Sequence, residues 1–181
     1  ADATFLSDRK TIYFTRNNSK GNKLLYDKNK FSNLKIYTSQ LVNDKWTEPE
    51  PLSINVDSYS MGHPALSTDN KKLGKPINLG KTINTEGREM FPFVADNNLY
   101  FSSDGHWGIG ALDIFKVDLK SDNLVSVNMG KPINSNYDDF SFIYDEQKNK
   151  GFLASNREGG IGDDDIYTFF KRISYVKGTP T

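Results

Sequence analysis

Two aspartates recur at the same place in two similar stretches of the chain. Asp113 follows Asp104 by nine residues, and Asp165 follows Asn156 by the same nine. Such a carboxylate serves either a catalytic or metal site, or the start of a strand, where it accepts backbone N–H groups and fixes the preceding loop. Because a catalytic group is rarely repeated in every unit of a protein, the recurrence favours the structural role.

Two further groups of residues could hold a metal ion. Asp163, Asp164 and Asp165 with Glu158 offer the oxygen ligands that Ca²⁺ prefers, but EF-hand spacing is absent, so a solvated turn is favoured over a cation site. His63 and His106 are the only histidines and the chain has no cysteine, which disfavours zinc. We predict no cofactor, no metal and no catalytic residue.

Two glycine-rich runs, at residues 108–110 and 159–162, do not form phosphate loops, because no helix comes after them to offer its N-terminus. They are interpreted as turn glycines that need positive φ.

The two aspartates belong to copies of one β-unit. The clearest copies are Leu99-Tyr-Phe-Ser-Ser-Asp104 with Leu112-Asp-Ile-Phe115, and Gly151-Phe-Leu-Ala-Ser-Asn156 with Asp164-Asp-Ile-Tyr167. A third copy is Ile12-Tyr-Phe-Thr-Arg-Asn17 with Leu34-Lys-Ile-Tyr37, where Lys35 replaces the aspartate and the loop is nine residues longer. Short strands with a period of roughly 40–50 residues are typical of propeller blades.

Each unit opens with a short apolar stretch that ends at an aspartate, and an Ile–Asn pair precedes three of these stretches, at residues 54–55, 83–84 and 133–134. We therefore predict an all-β fold, a β-propeller of four-stranded blades with about four units visible and one incomplete. In the third unit the strands are predicted at 91–95, 99–103, 113–119 and 124–127. Turns are predicted at 69–72, 96–98 and 145–149, since Asp and Asn tolerate left-handed backbone. Residues predicted to be buried between blades are Phe14, Ile36, Phe101, Ile114, Leu153 and Ile166.

The second unit is short. Pro64 and Pro92 are 28 residues apart, whereas Pro92 and Ser141 are 49 apart. We expect that about 20 residues belong between Leu73 and Gly74, because a blade without its middle strands would leave neighbouring strands unpaired. The predicted domain covers residues 1–172, and residues 173–181 form a linker or the start of a following β-domain. An upstream segment is also expected.

Composition restricts the class of protein. The 23 basic and 23 acidic residues cancel, which argues against nucleic-acid binding. No apolar run approaches the length that spans a bilayer.

The repeat resembles the WD-like, TolB-type propeller repeats of Bacteroidetes OmpA-family envelope proteins, a group that includes PorE-like proteins of the type IX secretion system. The runs that carry the resemblance are residues 3–18, Gly62-His-Pro-Ala-Leu-Ser67, Ile83-Asn-Thr-Glu-Gly-Arg-Glu-Met-Phe-Pro-Phe93 and residues 155–167.

The resemblance implies a periplasmic protein associated with the outer membrane, often through a lipid anchor. It also implies helical repeats before the propeller, and a small β-domain and a peptidoglycan-binding OmpA-like domain after it. That last domain lies outside this chain. From this resemblance we predict a non-enzymatic interaction or scaffolding module that serves type IX secretion or the organisation of the outer membrane and peptidoglycan. Its partners would be other envelope or secretion-system proteins.

Loops between the second and third strands of a blade share a rim with the loops that lead into the next blade. This geometry places residues 16–34, 104–112 and 156–164 beside residues 57–63, 85–90 and 135–139. The predicted interaction rim comprises His63, Arg88, Glu89, His106, Trp107, Asp138, Asp139 and Arg157. Exposed aromatic and charged side chains on such loops are typical contact residues.

Two other functions stay open from the sequence. A carbohydrate-binding or glycoside-cleaving propeller would need two carboxylates about 5–10 Å apart in the central funnel, and Glu89 with Asp138 or Asp139 would be the candidates. A peptidoglycan-sensing surface is the third interpretation.

Overall fold

A computed structural model describes residues 3–21, 23–66 and 77–171. All regular structure in these three stretches is β-strand, so the predicted all-β class is confirmed. The strands form antiparallel sheets, and none of these sheets closes on itself within the described residues. The same residues include no helix that is long and apolar enough to cross a membrane.

The first sheet is built around two long strands that are rich in aromatic and β-branched residues, as pleated surfaces favour. It contains β1 (Ala3–Phe5), β2 (Thr11–Asn17) and β5 (Leu34–Val42), with β6 (Lys45–Trp46) and β7 (Glu50–Pro51) both pairing with β5. The long loop between β2 and β5 forms its own hairpin of β3 (Ser19–Lys20) and β4 (Lys23–Leu24).

The second and third sheets repeat this up-and-down order. The second contains β8 (Glu89–Ala95), β9 (Asn98–Ser103), β10 (Asp113–Asp118) and β11 (Val127–Asn128). The first three lie close to the predicted bounds, whereas the fourth strand, predicted at 124–127, shares only Val127 with its prediction. The third contains β12 (Asp139–Asp145), β13 (Lys150–Ser155) and β14 (Asp165–Phe170). The repeated aspartate position starts β10 and β14, and it pairs with Ser103 and Ser155 respectively.

A bulge interrupts the first strand of the second and third sheets. The register shifts between Met90 and Phe93 and between Phe140 and Ile143, and Phe91 and Ser141 have φ of 53° and 54°. His63 has φ of 52° at the matching place before the second unit. The structure therefore aligns His63, Phe91 and Ser141. Pro64 and Pro92 stay matched, as the sequence suggested, but their counterpart in the third unit is Phe142 and not Ser141.

The core lies between successive units. One cluster joins Ile83 to Phe101, Phe115 and Val117, and a second joins the facing sheets through Tyr100, Ile114, Phe142 and Leu153. Of the residues predicted to be buried, Ile36, Phe101, Ile114 and Leu153 are buried, and Phe14 is half-buried.

The prediction for Ile166 is wrong, because this side chain is 80% exposed. It lies on the outer face of β14, and no described sheet comes after β14 to cover that face.

Of the second unit, the structure describes only the two ends, before residue 67 and after residue 76. Residues 56–66 and 77–80 contain no strand. The segment expected to be missing between Leu73 and Gly74 and the tail at 173–181 lie outside the described residues, and so does the turn predicted at 69–72.

Candidate interaction rim

The recurring carboxylates hold loops rather than an open site. The Asp165 Oδ2 atom accepts hydrogen bonds from the Ile161 and Gly162 N–H groups at 2.7 and 3.1 Å. Asp113 makes the same pair of bonds, accepting from the N–H groups of Ile109 and Gly110. Each carboxylate therefore fixes the residues three and four positions before it.

Lys35 replaces this aspartate with a cation, and the local chemistry changes with it. Its buried ammonium group donates to the Asp57 Oδ1 atom at 2.8 Å and to the Val56 carbonyl. Lys35 therefore ties β5 to the loop after the first sheet, in place of fixing the loop before its own strand.

Glycines beside these carboxylates provide room for them. A Cβ atom on Gly108 would lie 1.7 Å from Asp113 Oδ2, and one on Gly160 would lie 2.1 Å from Asp165 Oδ2. Only Gly159 among the glycines of the two runs has positive φ, at 92°. The predicted need for positive φ is therefore wrong for the others. At Gly108, Gly110 and Gly160 it is the close approach of neighbouring atoms that excludes a side chain.

The loops that lead into β8 and β12 share one hydrogen-bonding pattern. Thr85 Oγ1 donates to Glu89 Oε1 at 2.6 Å, and Ser135 Oγ donates to Asp139 Oδ2 at 2.9 Å. Ser103 Oγ also donates to Glu89 Oε1, at 3.0 Å. Both carboxylates are thus engaged by their own loops and strands.

Arg157 is also bound within the fold. Its guanidinium donates to the fully buried Asp139 carboxylate and to the Ile133 carbonyl, the latter at 2.7 Å, and its carbon lies 5.1 Å from the Tyr167 ring centre. Removing one partner of such a buried pair leaves an uncompensated charge, so Arg157 is a stabilising residue.

A second link joins each of these lead-in loops to the loop after the second strand. The Arg88 N–H donates to Asp104 Oδ1 at 2.7 Å, and the Asp138 N–H donates to Asn156 Oδ1 at 2.8 Å. The backbone N–H of Arg88, together with its guanidinium, lowers the pKa of Asp104 below its usual 3.8. Each lead-in loop therefore lies beside the loop after the second strand of its own sheet.

The two histidines are held separately. His106 Nε2 lies 2.9 Å from the Ile83 carbonyl, its Nδ1 lies 3.2 Å from Ser126 Oγ, and its ring packs against Phe115. A carbonyl only accepts hydrogen bonds, so Nε2 carries the proton. The His63 ring contacts Phe91 edge-on, with centres 4.6 Å apart.

Among the described residues, no three His, Asp or Glu side chains lie close enough together to hold a metal ion. In the acidic run at 163–165, Asp165 is directed to backbone N–H groups.

Apolar side chains project from the loops of this rim. Trp107 is 100% exposed, and Ile161 is also fully exposed at the matching loop of the third sheet. Sequence reasoning identified Trp107 but not the other exposed residues in these loops, Tyr26, Phe31, Tyr59, Ile109, Tyr137 and Ile161. Their signal was present, because each is an apolar residue in a segment that the repeat assigns to a loop.

A cavity of about 340 Å³ lies where the opening segments of all four units meet. Its lining includes Thr4, residues 63–66, residues 91–94 and residues 141–143. No Asp or Glu is among the described residues that line it.

No known family model matches the chain, and neither a curated protein nor a solved structure matches it.

Proposed function

We propose that the chain is a non-enzymatic β-propeller module whose loop-bearing rim binds other proteins. In this proposal the four units are blades arranged around the 340 Å³ cavity. Two observations support the arrangement. The cavity takes its lining from the same place in each unit, and the second and third sheets pack face to face through Tyr100, Ile114, Phe142 and Leu153.

The observation that carries the binding function is the fully exposed Trp107 on a fixed loop. The loop is held on one side by Asp113 and on the other by Asp104 and His106. An exposed indole costs little entropy to bury when its backbone is already ordered, and Trp is enriched among residues that dominate binding energy. The described residues assign no internal role to this side chain.

In this proposal only some residues of the rim contact a partner, and most of the predicted polar residues hold the loops. Arg88, Glu89, His106, Asp138, Asp139 and Arg157 hold the loops in place, and the contact surface is formed by exposed apolar residues such as Trp107, Tyr137 and Ile161.

The setting that we propose rests on the resemblance of the repeat: a periplasmic OmpA-family envelope protein that supports type IX secretion or the organisation of the outer membrane and peptidoglycan. Partners would be envelope or secretion-system proteins. Glycan cleavage is disfavoured, because Glu89 and Asp139 are engaged by their own loops and the described lining of the central cavity has no carboxylate.

Photo-crosslinking tests the rim. A benzoylphenylalanine placed at position 107 of the protein in its native cells should crosslink to a partner protein, and the same group at exposed Val125 should not. Trp107→Ala should weaken binding of the crosslinked partner by about tenfold or more at unchanged melting temperature, and Val125→Ala should leave binding intact. Equal crosslinking at both positions would contradict the proposal.

A companion assay addresses the enzyme alternative. The purified protein should release no reducing ends from peptidoglycan fragments. Release that Glu89→Gln stops would replace the scaffold proposal with a glycosidase.

A further inference from the structure

The first sheet carries a longer loop than the other two sheets at the same place in the repeat. Between equivalent positions, the connection from Asn17 to Lys35 is nine residues longer than the one from Asp104 to Asp113. The second and third sheets form without these extra residues, so the repeat itself does not require them. Insertions in single units of a repeat protein often lie on the binding face. We call residues 18–33, between β2 and β5, the insertion loop.

The insertion loop and the loop after the first sheet line a cavity of about 700 Å³. This volume lies within the range of roughly 300–1,000 Å³ that is typical of small-ligand sites. The lining combines aromatic rings, amides and carboxylates, which include those of Asn18, Tyr26, Asp27, Asn29, Phe31 and Asp57. The cavity therefore offers both apolar and polar contacts to a ligand.

Hydrogen bonds fix the walls of this cavity. The Asp27 Oδ1 atom accepts from the N–H groups of Asn29 and Phe31 at 2.8 and 2.9 Å, and the Asp27 N–H donates to the Phe31 carbonyl at 2.9 Å. Asn33 joins the two walls, because its Nδ2 atom donates to the Asp57 carbonyl at 2.8 Å. A ligand would therefore enter a site that is already ordered, which lowers the entropic cost of binding.

The groups that the fold leaves available in this lining are rings and amides. Tyr26 and Phe31 are 62% and 66% exposed. Within the part of the chain that the structure describes, the Asn29 side-chain amide and the Asn18 Nδ2 atom make no hydrogen bond. A ring offers an apolar face, and a side-chain amide offers hydrogen-bond donors together with an acceptor.

The charges in the lining favour an uncharged ligand. Asp57 is paired with Lys35 at 2.8 Å, and Asp27 accepts from backbone N–H groups, so both carboxylates already have partners. Their negative charge disfavours an anion, and their existing partners and the nearby Lys28 ammonium reduce the gain from a cation. A suitable ligand is neutral, has groups that donate and accept hydrogen bonds, and presents an apolar face to a ring. Saccharides combine these properties, because hydroxyl groups donate and accept and the C–H groups of a sugar ring form an apolar face.

We propose that the insertion loop binds a neutral saccharide, with sugar rings packed against Tyr26 and Phe31 and hydroxyl groups hydrogen-bonded to the amides of Asn18 and Asn29. This site goes beyond the protein-binding function of the rim. It belongs to the first unit, and it does not depend on Trp107.

Nuclear magnetic resonance with three neutral tetrasaccharides tests the proposal: cellotetraose, mannotetraose and the tetramer of N-acetylglucosamine. At least one of them, titrated into the isotope-labelled full chain, should bind saturably with a Kd tighter than about 1 mM. The backbone amide signals of Asn29 and Phe31 should shift on binding, and that of Val125 should not. Absence of saturable binding by all three probes would overturn the proposal.

Protein variants locate the site. Phe31→Ala and Asn29→Ala should each weaken binding at least about fivefold at unchanged melting temperature, because both side chains are exposed and each loses one contact to the sugar. Phe31→Trp should retain binding, since it keeps an aromatic face. The matched control is Tyr59→Ala, because Tyr59 is 57% exposed on the loop after the first sheet but does not line the cavity.

Two further results distinguish this site from other sites. Trp107→Ala should leave saccharide binding intact, even where it abolishes binding of a protein partner at the rim. Equal losses of saccharide binding in Trp107→Ala or Tyr59→Ala and in Phe31→Ala would overturn the proposal. Binding of tetramethylammonium that Phe31→Ala removes, with no binding of the saccharides, would also overturn it, in favour of an aromatic cation site.

Discussion

Asparagine is suited to the edge of a strand because its amide carries both a donor and an acceptor. At Asn55 and Asn134 the amide satisfies an N–H and a C=O of the same strand residue, as a neighbouring strand would. The preceding isoleucine then brings apolar surface to the same interface, as Ile133 does beside the buried Ile114 cluster. One dipeptide therefore supplies both the polar and the apolar part of a contact between units.

We predict that Asn134→Ala lowers the free energy of unfolding by about 1–3 kcal/mol, because it leaves the buried Ile114 N–H without its acceptor. Chemical denaturation measures the change. Exposed Asn136, two residues further along, is the matched control, and Asn136→Ala should stay within about 0.5 kcal/mol of wild type. A similar effect of the two changes would contradict this role of the Asn134 amide at Ile114.

At this scale the sequence identified the recurring residues but not their partners. The spacing marked Asp113 and Asp165, and repetition indicated the loop-fixing role seen in their hydrogen bonds. The pairing of Arg157 with Asp139 could not be predicted from the sequence, because it joins residues 18 positions apart across a loop. A shared spacing of four residues, from Thr85 to Glu89 and from Ser135 to Asp139, was the available signal for the carboxylates that accept hydrogen bonds from their own loops.

At the scale of elements, strands and tight turns were predictable because both depend on local sequence. Aromatic and β-branched runs indicated β9 and β10 to within a residue or two. The turn predicted at 96–98 is confirmed by the positive φ of Asp96 and Asn97, as two-residue hairpins require. The exposure of Ile166 was not predictable in the same way, because it depends on whether another sheet packs against the outer face of β14.

Ile114 and Ile166 occupy equivalent strand positions, and comparing them tests the packing between the second and third sheets. Ile114→Ala should destabilise the protein by about 2–5 kcal/mol, because Ile114 is fully buried between the second and third sheets. Ile166→Ala in the isolated protein should change stability by less than about 0.5 kcal/mol. Thermal and denaturant unfolding of both variants provide the measurement. Equal losses would mean that Ile166 is covered in solution.

At the scale of the whole molecule, the sequence predicted repetition and the structure shows the units packed in succession. The number of units and their arrangement relative to one another depend on long-range contacts that no local pattern encodes. Charge is a global property that the sequence does provide: equal numbers of acidic and basic residues give a net charge of zero at neutral pH. Stability toward acid then depends on how individual carboxylates are held.

Four aspartates at turns and loops give the protein a defined response to acid. Backbone N–H groups lower the pKa of Asp8, Asp27 and Asp104 below 3.8, and the Lys148 side chain does the same for Asp145. A lowered pKa in the folded state means that the unfolded chain binds protons first as the pH falls. Their stabilising contribution is therefore complete above about pH 5, and it is lost as the pH falls through 3.8 and then through the lower folded values.

We expect the denaturant midpoint to be steady from pH 7 to about pH 5 and to fall steeply below about pH 4. Asp104→Asn should reduce that slope, because the carboxylate that accepts the Arg88 N–H is then absent at every pH. The variant should be less stable than the wild type at neutral pH, and the gap between the two should narrow as the pH falls below 3.8 and through the lower folded pKa of Asp104, where protonation removes the charge from the wild type as well. An unchanged gap between the two proteins across this whole range would show that the charge of Asp104 contributes nothing to the stability of the rim.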